Sequence, residues 1–205
     1  FEDVEEKNGI PEFDPSEIFP EYRVADINPV SVNLEFDQYG DLKRSYGRTR
    51  INNVIDQVLE IESPMTIDLL FKRVNSVIGI GRMGTRIQKL YDSITRKKTR
   101  ARTAYLRGDT ISKEPIPKLV SVRISDEEDR PFLSIPIEEL ANASIILIEN
   151  TGAISEEHLS KNVARLFYNN SRSGKKIMTK MKKVIRYLES NGYIERDSDG
   201  LILKA

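Results

Sequence analysis

The sequence contains no cysteine, no tryptophan and a single histidine, His158. Without cysteine the chain can form no disulfide, no thiolate zinc site and no cysteine nucleophile. One histidine leaves a His-based metal site or a charge-relay triad short of partners. The most apolar stretch, from Ala143 to Ile148 with Ser144 inside it, is far too short to span a bilayer. These absences predict a cytoplasmic chain that makes no membrane contact, is not itself an enzyme and holds no metal or cofactor.

The net charge of zero hides a strong segregation of charge along the chain. Residues 1–41 hold 12 acidic and two basic residues and four of the nine prolines, which predicts an extended acidic segment. Within it, Val30–Phe36 alternates apolar and polar residues as a strand does. Residues 42–107 hold 15 basic and five acidic residues, and this balance favours an anionic partner.

A pattern of three helices and a hairpin begins at residue 51 and recurs about one hundred residues later. In the first copy, apolar spacing predicts a helix ending at Ser63-Pro64, a second helix capped by Thr66 and a third after the Gly79–Gly84 turn. Two short strands, Thr103–Leu106 and Thr110–Lys113, are predicted to follow.

The second copy has the same order of elements. A helix is predicted over about 137–149, a second helix is capped by Ser155, and a third follows the turn at 169–171. Strands at 193–195 and 201–203 flank a turn rich in aspartate and glycine. The residues before each third helix also match, because Arg82-Met-Gly-Thr-Arg-Ile87 corresponds to Arg172-Ser-Gly-Lys-Lys-Ile177.

This order of elements is that of a winged helix, whose third helix usually enters the major groove of DNA. The sequence therefore predicts an α+β chain, mainly α with small β wings, in which tandem winged-helix-like repeats follow an extended acidic segment. We expect the following division: 1–50 the acidic segment, 51–115 the first module, 116–135 connecting strands, and 136–205 the second module.

Basic residues oppose the apolar stripe of each third helix. On a helical projection Met181, Val184 and Leu188 lie within about 40° of Ile177, and the basic side chains of that helix lie between about 140° and 300°. In the first copy, basic residues from Lys97 to Arg102, Lys98 among them, are expected to extend the charge beyond the helix. The candidate nucleic-acid-binding residues are Arg82, Arg86, Lys89, Arg96, Lys97, Arg172, Lys175, Lys176, Lys180, Lys182, Lys183 and Arg186.

These faces predict contact with duplex or forked DNA through the phosphates, since each cation that neutralises a phosphate releases a counterion. Readout of base sequence is not expected, because the lysine-rich helix presents no asparagine or glutamine at its outer positions. The alternatives are a plain solvated face or a protein-docking surface, used within a larger protein or between two copies.

Gly79, Gly81 and Gly84 match the letters of a dinucleotide fingerprint, but a helix rather than a strand is predicted before them. A turn that joins two helices explains these glycines without a cofactor.

Five short segments together resemble a known family: Glu62–Thr66, Arg82–Ile87, Ile135–Leu140, Val163–Phe167 and Arg172–Gly174. In order and spacing they are similar to the uncharacterised C-terminal domain of large bacterial superfamily-one helicase-like proteins, which often also carry a Vsr-like endonuclease domain. The resemblance covers roughly residues 20–205 and implies that this chain is the tail of a DNA-processing ATPase. The start at Phe1 rather than methionine agrees with that expectation. The resemblance implies no catalytic residue here, and it implies the other domains of the parent protein as partners.

Overall fold

The computed structural model describes residues 15–32, 45–168, 174–198 and 200–204. The chain divides into two compact units. Arg23–Pro117 form the 23–117 unit, and Lys118–Ala205, together with the segment that ends at Tyr22, form the C-terminal unit. Both units combine helices with small antiparallel sheets, so the chain belongs to the α+β class. None of the helices in the described ranges has both the length and the apolar character that crossing a membrane requires.

The described chain opens with one helical turn, α1 (Pro15–Ile18). The 23–117 unit then contains the following elements: α2 (Ser45–Glu62), β1 (Met65–Thr66), α3 (Ile67–Val77), α4 (Thr85–Arg100), β2 (Tyr105–Arg107) and β3 (Thr110–Ser112). Helix α2 begins six residues before the predicted start, and it ends just before Pro64, which cannot continue a helix. The predicted cap of α3 is confirmed, because the Thr66 hydroxyl accepts from the Leu69 amide at 3.4 Å.

The sheet of this unit has a strand that the sequence did not predict. Its order is β1-β3-β2, and Met65 of β1 lies opposite Ile111 of β3. The two residues of β1 give no visible alternation, so no pattern of period two marks them as a strand. They pair because the turn after α2 brings them beside the hairpin, and both Met65 and Ile111 are fully buried there.

The C-terminal unit contains a short 3-10 helix (Phe132–Ser134) and these elements: α5 (Ile137–Thr151), α6 (Glu156–Phe167), α7 (Lys175–Ser190), β4 (Ile194–Asp197) and β5 (Gly200–Leu203). Ser155 caps α6 as predicted, accepting from the amide of His158 at 3.3 Å. Just before this cap, Ile154 forms an antiparallel bridge with Leu201 of β5. The core lies between α5, α6 and α7.

The strands expected between the two copies are absent from the described chain. Residues 119–124 form a single parallel bridge, between Ile124 and Glu21, and the apolar run at 132–135 is a 3-10 helix instead of a strand. The strand proposed at Val30–Phe36 lies partly outside the described residues, and residues 30–32 are irregular. The apolar side chains of residues 119–135 instead pack into the helical core of the unit, where Val122 and Phe132 are buried.

A buried ion cluster holds residues 118–135 in the C-terminal unit. Glu139 and Arg130 are fully buried, and both oxygens of Glu139 accept from the Arg130 guanidinium at 3.0 Å. Arg123 adds a backbone and a guanidinium bond to the same carboxylate, at 2.8 and 2.9 Å. The Arg130 guanidinium also lies 4.1 Å from the ring centroid of Tyr22. Tyr168 donates to the carbonyl of Arg130, and burial raises the pKa of this phenol to about 12, so it stays a neutral donor.

Gly200 at the start of β5 lies in close contact with the backbone of Ile154. A side-chain carbon there would lie 2.5 Å from the carbonyl oxygen of Ile154, and the residue has φ +139°. The variant Gly200→Ala is therefore expected to lower the free energy of unfolding of the C-terminal unit by about 2–3 kcal/mol. The comparison is Gly192→Ala, which has φ +74° and open space around it, and which should lose about 1–2 kcal/mol. Urea unfolding followed by circular dichroism measures both, and equal losses would contradict the argument from the close contact.

Candidate nucleic-acid interface

Helix α4 is fixed in rotation by its apolar side. Leu90, Tyr91 and Ile94 are buried, and Tyr91 packs on Phe71 with ring centroids 5.0 Å apart. The Tyr91 hydroxyl donates to the side chain of Asn75 at 2.7 Å. With this side held inward, the opposite side must face solvent. The predicted residues on it are exposed, as is Arg82 in the turn before it: Arg86, Lys89, Arg96 and Lys97.

One stripe of α4 lines a shallow groove of about 630 Å³. The lining residues are Lys89, Asp92, Ser93, Arg96, Lys97 and Arg100. They recur every three or four positions, which places them on one side of the helix. Four of these six side chains are cationic, and the one carboxylate, Asp92, accepts from Gln88 at 3.1 Å. The groove therefore presents a net positive surface.

The positions of two basic residues after Lys97, Lys98 and Arg100, differ from those that the sequence predicts. The helix continues to Arg100, so Arg100 belongs to the exposed face and is not an extension beyond the helix. Lys98, in contrast, is buried and its Nζ lies 2.5 Å from a carboxylate oxygen of Asp56. The prediction that Lys98 extends the exposed charge is wrong, because its position falls on the side of α4 that packs toward α2.

Helix α7 presents the clearest face of one charge. Met181, Val184, Ile185 and Leu188 are buried on its inner side. The exposed basic residues on its outer side are Lys175, Lys176, Lys182, Lys183 and Arg186. Within the part of the chain that the structure describes, no ion pair involves any of these five side chains. Their charge is therefore not neutralised by any carboxylate of the described chain.

Lys180 does not belong to this outer face. It is buried, and its Nζ donates to the carbonyls of Leu133, at 2.6 Å, and Ile135. The prediction that Lys180 contacts nucleic acid is wrong. On the helical projection Lys180 lies about 60° from Ile177, at the edge of the apolar stripe. The projection could not reveal that backbone acceptors from a distant segment would satisfy its ammonium group there.

Arg172, the remaining candidate, lies outside the described residues, as does most of the acidic segment. In the ranges that are described, no three histidine, aspartate or glutamate side chains lie close enough together to hold a metal ion. The candidate residues that the structure describes therefore form two separate sets of exposed cations, one on α4 in the 23–117 unit and one on α7 in the C-terminal unit.

Comparison with protein families gives one match. A family described as "Protein of unknown function (DUF3320)" matches residues 43–89. This segment covers α2, α3 and the beginning of α4, so it includes the exposed side chains of Arg82, Arg86 and Lys89. Neither the curated proteins nor the solved structures gave a match. The description of the matched family names no function.

Proposed function

We propose that this chain is a non-catalytic module that binds duplex or forked DNA through its phosphates, as an accessory part of a larger bacterial helicase-like protein in the cytoplasm. The observation that carries the proposal is the outer face of α7, where five cations are exposed without an ion-pair partner among the described residues. A surface helix usually mixes charges of both signs, which neutralise one another. A face of one sign attracts a polyanion and gains the entropy of the counterions it releases.

The fold that we propose for both units is a winged helix. In each unit the order is helix, helix, helix, hairpin, and in each a short segment before the second helix pairs with the second hairpin strand. Helices α4 and α7 both have 16 residues and both follow a glycine at the cap position. In a winged helix the third helix is the one that enters the major groove. That role would fall to α4 and α7.

The two helices share some cationic positions and differ at others. Aligning Ile87 with Ile177 places Arg86 with Lys176 and Arg96 with Arg186, and all four side chains are exposed. The same alignment sets Asp92 of α4 against Lys182 of α7. We propose that α7 contributes more of the binding free energy, because its face has no acidic residue between Lys175 and Arg186.

The chemistry of the α7 face favours contact with the backbone over contact with base edges. The described side chains on it are lysines, one arginine and Thr179, with no amide to read adenine and no aromatic ring on which a base could stack. Lysine acts toward phosphate as a point charge and tolerates variation in the DNA sequence. Binding should therefore depend strongly on salt and weakly on sequence.

Fluorescence anisotropy with labelled single-stranded, duplex and forked DNA tests the proposal across a range of salt. Five phosphate contacts from α7 predict a slope of log K against log salt of about −4 or steeper. Affinity should then fall by about 10²- to 10³-fold between about 50 and 200 mM NaCl. Weak binding that stays flat over this range would remove nucleic acid as the partner.

One observation favours docking to protein as a second candidate function. Residues 1–41 carry a net charge of −10 and residues 42–107 a net charge of +10, so the chain contains two segments of opposite charge. Opposite charges of this size favour association within one chain, with another domain of the parent protein or between copies. In that case the basic faces would be engaged by carboxylates, and DNA would compete for them poorly.

A further inference from the structure

The hairpin end of the C-terminal unit has a charge opposite to that of α7. Glu195 and Asp197 are exposed and stand on the same side of β4, since alternate residues of a strand share a face. Arg196 points to the other side and fixes the hairpin to two helices. Its Nε lies 2.7 Å from Glu189 at the end of α7, and its Nη2 lies 2.5 Å from Glu156 in the first turn of α6.

Most cations near the hairpin form ion pairs with neighbouring carboxylates. The hydrogen bond that Arg196 donates to Glu156 raises the pKa of Arg196, and the hydrogen bond that Lys161 donates to Glu157 lowers the pKa of Glu157, so these groups stay charged and paired. Lys204 is a further exposed cation close to the hairpin, since its amide bonds to the carbonyl of Tyr193. Glu195 and Asp197 remain as exposed carboxylates without an ion pair among the described residues.

The sign of the exposed, unpaired charge therefore changes between the outer face of α7 and the hairpin that follows it. Arg186 is the last exposed cation of the helix, Glu189 three residues later is paired with Arg196, and the hairpin carboxylates left without an ion pair among the described residues are Glu195 and Asp197. A phosphate backbone that followed α7 beyond Arg186 would approach the carboxylates of the hairpin. Like charges at an interface oppose association, and they do so most strongly at low salt.

We infer that Glu195 and Asp197 keep the hairpin away from phosphates and confine the polyanion contact of the C-terminal unit to the Lys175–Arg186 part of α7. This inference rests on the proposed function and adds to it which part of the C-terminal unit faces the nucleic acid. The wing of a winged helix is then not a DNA-binding element in this unit. The two carboxylates act by repulsion, without direct contact to the ligand, and they determine which part of the unit's surface the polyanion contacts.

The test compares the double variant Glu195→Gln, Asp197→Asn with the unaltered chain, using duplex DNA in the anisotropy assay. Removing both charges should tighten binding by about three- to tenfold at about 50 mM NaCl, and the difference should shrink at about 200 mM. The matched control is Glu128→Gln, Glu149→Gln, which removes two exposed charges from the same unit and should change affinity less than about twofold. A second variant, Glu195→Lys, Asp197→Lys, should bind more tightly still and steepen the salt slope.

The outcomes separate the two proposals. If the unaltered chain does not bind duplex DNA at low salt, both the proposed function and this inference are overturned. If it binds, but the hairpin variants tighten binding no more than the control pair does, the inference is overturned and the proposed function stands. Circular dichroism of each variant verifies that the fold is retained, as expected for substitutions at exposed positions.

Discussion

Replacing Glu139 by glutamine is expected to lower the free energy of unfolding of the C-terminal unit by about 3–5 kcal/mol. Glu139 is fully buried and accepts four hydrogen bonds, two from Arg130 and two from Arg123. An uncharged amide would leave the buried guanidinium of Arg130 without its counter-charge, and its NH2 group would oppose one of the donors. Since a whole domain is stable by about 5–15 kcal/mol, this one change would remove a large share.

Thermal and urea unfolding followed by circular dichroism measure the effect. The control is Glu149→Gln on the same helix, which is exposed and should change stability by less than about 0.5 kcal/mol. The loss should appear in the transition of the C-terminal unit and leave that of the 23–117 unit in place. A loss below about 1 kcal/mol for the Glu139 variant would mean that the cluster contributes little to holding residues 118–135 against α5.

Neutralising the outer face of α7 is expected to weaken DNA binding by about 100-fold or more near 100 mM salt. The variant combines Lys175→Gln, Lys176→Gln, Lys182→Gln and Lys183→Gln, which removes four of the five exposed cations. Each lost phosphate contact should reduce the salt slope by about 0.9, so the slope should become shallower by about 3–4. The fold should survive, because these side chains are exposed and lie outside the packed side of the helix.

The matched control removes four cations from the same unit away from the α7 face. It combines four replacements by glutamine, at Lys118, Lys161, Arg165 and Lys204. If the control weakens binding as much as the α7 variant, net charge rather than the α7 face determines affinity. If neither variant changes DNA binding but the α7 variant loses association with another domain of the parent protein, the docking function is supported instead. Lys180 stays unchanged in both variants, because it is buried.

Local signals in the sequence predicted where several of the helices begin or end, but not the start of α2 or the end of α4. Thr66 and Ser155 cap their helices because a hydroxyl before a helix can accept from an amide in its first turn, and this needs no information from the rest of the chain. The proline after α2 acts locally as well, because it cannot continue a helix. The side of each helix that packs inward followed from the spacing of its apolar residues.

Partners distant in sequence determined whether two lysines of the helices are buried or exposed. On the helical projection Lys98 lies about 20° from Ile87, within the apolar stripe of α4, and Lys180 lies about 60° from Ile177, at the edge of the stripe of α7. Asp56 provides an acceptor for Lys98, and the carbonyls of Leu133 and Ile135 provide one for Lys180. These acceptors belong to other segments of the chain, so the spacing within each helix does not show that a buried ammonium group would be satisfied there.

The sequence by itself determined the helix caps at Thr66 and Ser155 and the sign of the outer faces of α4 and α7, because those depend on residues close together in the chain. Tertiary structure alone decided the pairing of Met65 with Ile111, the burial of the Arg130–Glu139 pair and the boundary of the C-terminal unit at Lys118. The Met65–Ile111 pairing joins segments far apart in the chain, and the Arg130–Glu139 pair, nine residues apart, is covered by Tyr22 from a distant segment, whose ring centroid lies 4.1 Å from the Arg130 guanidinium. A charge then becomes stable inside when its counter-charge is already in place there.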